Sequence, residues 1–588
     1  MDRSSNVAQV VRQPEEAPAI ARSRLESALA IPTEELPLGR AYFWEKTRGR
    51  QIFLTQPVHG AVRHWRWSDA MNEARRMAAY LEAQNWPAES PIVILSKNCA
   101  WWVLAELAIW MSGHVTVPIY TSLPVEAALR LMEHCGPVAC FIGPVDTAAL
   151  VSQAIPPGVT CIRFPTAPQC AALEWEQIVA ENDPIRTTQM RPADDVATII
   201  YTSGTMGPPR GAMHRFAAFP YFAKAVTQVT GDRRRQRVLS YLPLAHIAER
   251  ALTETAAIYN GWRIFFCEDA STFLRDLKRA RPTVFFSVPR LYLKFQAGIL
   301  ARITQQRLER LLRIPLVGYF VRKRILRQLG LQAVRFAASG SAPISQELLL
   351  WFRRLGLPLV EGYGTTETGI THTAPRGRRR PGWVGCQAPG VETKLDDNQE
   401  VLVKSPMNML GYFGDPDATE AVVTADGFIR TGDLGEVDEG WLKLKGRLKE
   451  QFKTSKGKYV LPSAIEMMLG SHEAIDSCLV MGSGLASPFA IVVLSAEAQK
   501  TASTRQGRGM IERSLKDRLN TVNLKLAPHE RLQFMVATNE AWSAANGFLT
   551  PTLKLKRTVL EAHYEHLVPA WSAAEAPIVW HNERPDMQ

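Results

Sequence analysis

The run Val196-Ala-Thr-Ile-Ile-Tyr-Thr202 is continuously apolar or β-branched, and Ser-Gly-Thr-Met-Gly-Pro-Pro-Arg-Gly-Ala-Met213 follows it without a break. The first part reads as a buried strand and the second as a loop. The loop carries three glycines (Gly204, Gly207, Gly211), three hydroxyls (Thr202, Ser203, Thr205) and one fixed cation, Arg210. Glycines let backbone N–H groups turn inward around an anion, and the hydroxyls and guanidinium add further donors. That chemistry suits a polyphosphate. No Gly-Lys-Ser/Thr closes the loop and no Gly-x-Gly-x-x-Gly is present, so it is neither of the familiar nucleotide loops. A flexible Gly/Pro turn between two elements has the same composition, and the loop alone does not choose between the two.

Strand and helix patterns alternate around this stretch. Trp65 to Leu81 is an amphipathic run with Ser68 as its expected N-cap, Pro91–Leu95 a strand, Ala100–Met111 a helix and Val138–Ile142 another strand. Such alternation predicts an α/β protein of mostly parallel sheets covered by helices. At 588 residues the chain exceeds one ordinary core, so two or more domains are expected. The most hydrophobic run, Trp101 to Tyr120, is interrupted by Glu106, Ser112, Gly113, His114 and Pro118. A membrane span needs about 20 mostly apolar residues, so this run predicts a buried helix followed by a strand. Eight cysteines without a Cys-x-x-Cys pair indicate neither a zinc site nor a disulfide framework. They fit a reducing, cytoplasmic setting, and the N-terminus lacks the apolar core of a signal peptide.

The net charge of +12 is concentrated in clusters: Arg233–Arg235, Arg322–Arg324 with Arg327, and Arg376–Arg380. No nucleic-acid motif accompanies them, and no nucleic-acid partner is expected. Residues 300–330 mix apolar and basic positions. They read as a packed helical hairpin, with peripheral contact to an anionic membrane as the alternative.

Chemistry-bearing residues recur at the ends of expected strands. Val238 to Leu242 runs into Pro243, with His246 at the turn. Val334 to Ser339 ends in Gly340-Ser341-Ala342, small enough for a flat ring to approach the backbone. Leu359-Val-Glu-Gly-Tyr-Gly-Thr-Thr-Glu-Thr-Gly369 brings Tyr363, Thr366 and Glu367 to a strand's carboxyl end, where ligands of α/β sheets gather. Glu367 suits Mg²⁺, which takes one or two carboxylates plus water and phosphate oxygens. Asp433, after a glycine turn in Asp426-Gly-Phe-Ile-Arg-Thr-Gly-Asp-Leu-Gly435, can accept from two ribose hydroxyls or can simply be a hairpin-turn aspartate.

In this order these segments resemble the signatures of the adenylate-forming superfamily of acyl-CoA synthetases, luciferases and peptide-synthetase adenylation domains. The glycine loop is similar to the pattern Tyr-Thr-Ser-Gly-Thr-Thr-Gly-x-Pro-Lys-Gly, with Met206 in place of a threonine and Arg210 in place of the lysine. Arginine keeps the charge but replaces a flexible point charge with a planar fork. Leu242-Pro-Leu-Ala-His-Ile-Ala-Glu-Arg250 and Phe285-Phe-Ser-Val-Pro-Arg-Leu-Tyr292 resemble the long-chain acyl-CoA synthetases in particular.

The resemblance implies roles residue by residue. Phosphates would meet Thr202, Ser203, Gly204, Thr205, Gly207 and Arg210; adenine would meet Gly340, Ser341, Ala342, Glu361, Gly362 and Tyr363. Asp433 and Arg447 would hold the ribose, Thr366 would donate to the α-phosphate, and His246 would gate the acyl carboxylate. Lys449 would be a hinge, Gly457 and Lys458 would face CoA, and Lys554, in Leu549-Thr-Pro-Thr-Leu-Lys-Leu-Lys-Arg557, would be the catalytic lysine.

The expected division is a polar lead-in over 1–40, an ATP- and acyl-binding domain over 41–447, a small α+β hinged domain over 448–570, and a tail over 571–588. The implied activity is that of a long-chain fatty acid–CoA ligase using ATP, Mg²⁺ and CoA, cytoplasmic or peripheral to the inner face of the membrane. Three alternatives share the scaffold. One is an acyl-AMP ligase that loads a carrier protein. Another is an enzyme of β-lactone or aryl-acid type, and the last is a catalytically silent binding relative.

Overall fold

The computed structural model describes residues 31–202, 210–231, 235–544, 546–550 and 554–581. The helix Ala100–Met111 is buried on every side, which explains why its sequence shows no polar face. It lies between two sheets. On one side a seven-stranded sheet is built around Pro91–Leu95, Val115–Ile119, Ala139–Ile142 and Val196–Tyr201, all parallel. On the other, Ile52–Val58 and Ala61–Arg66 join Arg237–Ser240 and Arg263–Phe266 in a four-stranded sheet.

A nine-stranded mixed sheet carries Glu361, Gly362, Tyr363, Asp433 and Arg447. Its parallel part is Val284–Ser287, Phe336–Ser339 and Leu359–Thr365; the rest is antiparallel and includes Ile429–Asp438 and Trp441–Arg447. The turn from Leu359–Thr365 to Gly369–Thr373 is tight because a Cβ at Gly364 would lie 1.9 Å from the Gly369 carbonyl oxygen. Only glycine fits there.

The C-terminal lobe has its own core. Ile475–Met481, Phe489–Leu494, Met535–Thr538 and Ile578–Trp580 form one sheet, packed by the helices Pro462–Leu469 and Arg505–Asn523. The two lobes also touch through Arg290 and Asp476, 2.7 Å apart, and through Lys525 and Glu347, 3.6 Å apart.

Three local expectations are corrected. The helix begins at Trp67, so Ser68 lies inside it; Asp69 accepts from the Arg66 N–H instead, and Ser68 Oγ donates to the Gly49 carbonyl. The lead-in ends before residue 40, because Pro37–Arg48 is a helix with Leu38 and Trp44 buried. The stretch after 570 is not simply a tail: Trp571 is buried, and Ile578–Trp580 pairs in parallel with Met535–Ala537. Single large apolar side chains at a chain end carry too little periodicity to reveal either feature.

Candidate active site

The strand Val196–Tyr201 pairs antiparallel with Gly211–Arg215, and the Thr202 N–H donates to the Arg210 carbonyl, 2.9 Å. The glycine-rich stretch therefore joins the two strands of a hairpin. Ser203, Gly204, Thr205, Met206 and Gly207 lie outside the described residues, as do Arg233 and Arg234. Arg210 stands at the hairpin's edge with its guanidinium 5.4 Å from the ring centroid of Tyr412. Tyr412 donates to Glu367 Oε1, 2.9 Å, so its ring links the cation to the carboxylate. The phenol's pKa is pushed up by burial and by the Glu367 carboxylate.

Glu367 is fixed from behind as well. Its carbonyl accepts from the Met409 N–H, 2.8 Å, and the carbonyl of Thr366 is 2.8 Å from His214 Nε2. His214 is fully buried, and burial pulls its pKa down to about 4. It is therefore neutral and donates to Thr366 through Nε2–H.

The turn after Phe336–Ser339 meets the strand Leu359–Thr365 closely. Ser339 is in register with Glu361, and a Cβ on Gly340 would lie 3.2 Å from the Gly362 carbonyl oxygen. Ser341 adopts a left-handed φ of 65°, a strained conformation for a residue with a side chain. Glu361 Oε2 is buried without a hydrogen-bond partner, and burial pushes the carboxyl up to about 7. Tyr363 is buried, and its hydroxyl donates to Asp433 Oδ2, 2.7 Å.

Asp433 lies within the continuous strand Ile429–Asp438, paired across to Arg447, so the hairpin-turn alternative does not hold. Gly432, at φ 70°, puts a local irregularity just before it. Arg447 Nε is 3.2 Å from Asp433 Oδ1. Burial raises the Asp433 carboxyl, while Arg447 and the Tyr363 hydroxyl act against that rise. Arg447 itself is half-exposed, and Lys449 follows it in the exposed 3₁₀ turn Leu448–Glu450.

Lys554 comes from the other lobe and reaches this group. Its ammonium is within electrostatic range of Arg447, Asp433, Glu367, Glu450 and His246. Burial and Arg447 lower its pKa, while the three carboxylates oppose them. Its loop is held by Thr550 Oγ1, which accepts from the Lys554 N–H, 3.0 Å, and by the return bond from the Thr550 N–H, 2.8 Å. Three residues further on, Arg557 grips Glu466 through two bonds of 2.7 and 2.9 Å. Both bonds come from Nη2, and Nη1 donates to the Val480 carbonyl, 3.0 Å, so the guanidinium is tied at two points.

His246 caps the short helix Ile247–Glu249, with Nδ1 accepting from the Ala248 N–H, 3.1 Å. Its pKa falls to about 3, from burial first and then from Lys554. A neutral ring whose Nδ1 accepts carries its proton on Nε2, so His246 is a fixed donor. Asn98 holds the preceding turn from below: it donates to Ser240 Oγ, 2.8 Å, and accepts from the Leu244 N–H, 3.0 Å. Gly457 and Lys458 sit at an exposed hairpin tip between Phe452–Lys453 and Tyr459–Val460.

Arg210, Thr366, Glu367, Gly340, Glu361, Gly362, Tyr363, Asp433, Arg447, Lys554 and His246 thus gather in one cleft, while Gly457, Lys458 and Lys449, the expected hinge, are exposed. Sequence reasoning missed Tyr412, His214, Glu450, Glu466 and Asn98. Glu450 adjoins the expected hinge and Tyr412 sits in Gly411-Tyr-Phe413, but nothing local marks either as facing Lys554 or Arg210.

Fold and cleft together define a two-lobed α/β protein that gathers cations and carboxylates from both lobes at the sheet's carboxyl edge. The AMP-binding enzyme family matches residues 43–413, and the AMP-binding enzyme C-terminal domain matches 449–571. The chain belongs to the AMP-binding enzyme family.

It is 30% identical over 542 residues to the long-chain-fatty-acid–CoA ligase FadD15 of Mycobacterium bovis, covering 84% of this chain and 90% of that one. It is 29% identical to long-chain-fatty-acid–CoA ligase 1 of Homo sapiens, covering 80% and 77%. Among solved structures, the adenylation domain of a carboxylate reductase from Mycobacterium chelonae has the same fold. It matches with a TM-score of 0.78 at 22% identity, covering 97% of this chain and 96% of that one. An anthranilate CoA ligase solved with anthranoyl-AMP superposes with a TM-score of 0.75 at 21% identity, covering 92% and 99%.

Proposed function

We propose that this protein is an AMP-forming long-chain fatty acid–CoA ligase. The observation that carries the reading is the arrival of Lys554 from the C-terminal lobe beside Glu367, His246 and the Asp433–Arg447 pair. A carboxylate and ATP are both anions, so their reaction needs cations and N–H donors already in place.

In the first step a fatty carboxylate oxygen attacks the α-phosphorus and the bond to the β-phosphate bridging oxygen breaks, giving acyl-AMP and pyrophosphate. Lys554 and Arg210 offset the negative charge at the reacting phosphate, and the Thr366 hydroxyl donates to it. His246 Nε2–H holds the carboxylate. Asp433 with Arg447 holds the ribose, and Gly340 to Ala342 with Glu361, Gly362 and Tyr363 surround the adenine. The unpartnered Glu361 Oε2 is an acceptor for the exocyclic amine. Attack by a carboxylate needs no general base, so the site requires no nucleophilic side chain.

Among the described residues no group of three or more His, Cys, Asp or Glu gathers to hold a metal unaided. Glu367, held in orientation by Tyr412, is the carboxylate that would hold Mg²⁺, an ion that takes one or two carboxylates besides water and phosphate oxygens. When bound, it neutralises charge on the phosphates.

In the second step the CoA thiolate attacks the acyl carbonyl, AMP leaves, and the thiol proton passes to solvent. Here the C-terminal lobe turns at Lys449, Lys554 withdraws, and the Gly457–Lys458 tip comes to the cleft. Motions of this kind gate many enzymes. The domain limits that follow are 41–447 for the large lobe and 448 onward for the mobile one, in a cytoplasmic enzyme.

One second reading shares the first step and replaces CoA with a carrier-bound thiol. ATP-to-AMP turnover with a ladder of fatty acids, with and without CoA, separates the two. The ligase reading expects long-chain acyl-CoA as the product. Acyl-AMP accumulating untouched by CoA would favour a carrier protein, and no AMP from any alkanoic acid would end both readings.

A further inference from the structure

Five of the sixteen exposed large apolar side chains among the described residues fall within seven positions: Ile314, Leu316, Val317, Tyr319 and Phe320. Leu316 is 76% exposed and Phe320 64%. They form the tip of a hairpin made by the helices Gln305–Arg313 and Pro315–Gln328. The joint is a single residue, Ile314, followed by Pro315 at the second helix's first turn. The helices cross closely at Gly318, where a Cβ would lie 2.7 Å from the Leu312 carbonyl oxygen.

The hairpin is packed on one side only. Leu308 is buried in the core, and Leu312, Val321, Ile325 and Leu326 lie against the same cluster. The packed-hairpin reading of the sequence is therefore right for the base and wrong for the tip. A monomer's exposed apolar side chains are ordinarily scattered, and a contiguous set marks an interaction surface.

Charge says what the surface meets. Residues 305–328 contain seven lysines and arginines against one acid, Glu309. Glu309 is engaged at the base by Gln305 and Arg354, away from the tip. Arg310 and Arg313 flank the tip on the first helix, and Lys323, Arg324 and Arg327 on the second; all five are exposed. Lys323 also lies 5.6 Å from the Tyr319 ring centroid. An apolar apex with an exposed basic collar one or two helical turns behind it matches acyl chains beneath a layer of phosphates. Two copies of the chain meeting tip to tip would bring like charges together. An acidic protein would use the collar but would not account for five exposed apolar side chains at the apex.

We propose that this hairpin docks the enzyme on an anionic lipid bilayer, with Ile314 to Phe320 in the headgroup–acyl boundary and the arginine and lysine collar on lipid phosphates. The ligase reading contributes only the reason, since a bilayer is where long-chain acids partition; the docking surface stands without it. No described helix is long and apolar enough to cross a membrane, so the contact is one of lying on the surface.

Co-sedimentation of the full chain tests this, using phosphatidylcholine vesicles with and without about 30% phosphatidylglycerol. The expected result is binding to the anionic vesicles only, weakened several-fold on raising salt from about 0.1 to 0.5 M. The double variant Leu316→Glu/Phe320→Glu and the triple variant Arg313→Ser/Lys323→Ser/Arg324→Ser should each lose about tenfold or more in vesicle affinity. ATP–pyrophosphate exchange with a long-chain acid carried on serum albumin, without vesicles, reports folding and activity away from any membrane, and should be unchanged in both. Wild-type protein that ignores anionic vesicles, or a double variant that still binds them, would overturn the proposal. So would a wild-type dimer in light scattering that the double variant dissolves while neither protein binds vesicles. Loss of exchange in the wild type with vesicle binding intact would count against the ligase reading alone.

Discussion

Arg250 and Arg447 both face carboxylates, in surroundings that differ in one respect: access to water. Arg250 is 1% exposed and pairs with Glu106 on the central buried helix, at 0%, with Glu254 Oε2 at 3.5 Å. Its third partner is Thr198 on the strand that leads to the glycine loop, 2.5 Å away. Two acids share one cation there. Burial and the neighbouring Glu106 push Glu254 well above the carboxylate range, so Glu254 holds its proton and a single ion pair remains. Arg447, by contrast, keeps half of its side chain in solvent while holding Asp433, and Lys554 comes within range from a separate lobe. A closed pair cannot exchange partners without stranding a buried charge. A half-open one can, and the proposed reaction asks this one to release a lysine and accept a ribose in every turnover. The first cluster locks the segment that follows His246 to the sheet beneath the cleft; the second is where charge can move.

Substitutions sharpen the contrast. Arg250→Met leaves a buried carboxylate unpaired and should cost about 3–5 kcal/mol of stability, read as a lowered denaturant midpoint. Glu254→Gln, which replaces an already neutral group, should cost about 1 kcal/mol or less by the same measurement. If the two losses are equal, Glu254 is ionised and the single-pair account is wrong.

Glu361 gives a pH-dependent comparison. Its folded pKa of about 7 is above the ordinary 4.5, so the native state holds a proton the unfolded chain has lost. The stabilisation it contributes is complete below about pH 4.5 and disappears as pH rises through about 7. Thermal melts from pH 5 to 8.5 should show wild type losing about 1–3 kcal/mol more than Glu361→Gln across that window. Parallel pH curves for the two proteins would contradict the shift.

Asp433→Asn should be the mildest for the fold, about 1 kcal/mol or less, because the half-exposed Arg447 returns to water. Its effect belongs to binding: kcat/KM for ATP should fall about ten- to a hundredfold, the worth of a charge-assisted hydrogen bond to a ribose hydroxyl. A large stability loss with unchanged ATP kinetics would put Asp433 in the same class as Arg250.

What the sequence made visible follows from how each feature is encoded. Strands such as Pro91–Leu95 and the turn at Gly340 to Ala342 are written in contiguous residues, and so are Glu367, just past the strand Leu359–Thr365, and Asp433, directly after Gly432. Tyr412 is not of that kind, because its link to Arg210 and Glu367 spans three separate segments. The same holds for Glu106 and Arg250, 144 residues apart, where the sequence shows only an interruption in an apolar helix and a charge after a histidine. Ser68 was a plausible cap by type, but the backbone turns into the helix at Trp67, and Asp69 reaches back to the preceding N–H. Long-range pairing decides which polar residues act together, and local pattern carries no record of it.

The most direct measurement is made on Lys554→Ala, with two assays on the same preparation. ATP–pyrophosphate exchange driven by a long-chain acid reads the first step, and thioester formation from supplied acyl-AMP and CoA reads the second. With Lys554 as the cation delivered by the mobile lobe, exchange should fall about a hundred- to a thousandfold while thioester formation stays within a few-fold of wild type. Equal loss in both assays, or exchange that survives intact, would contradict it.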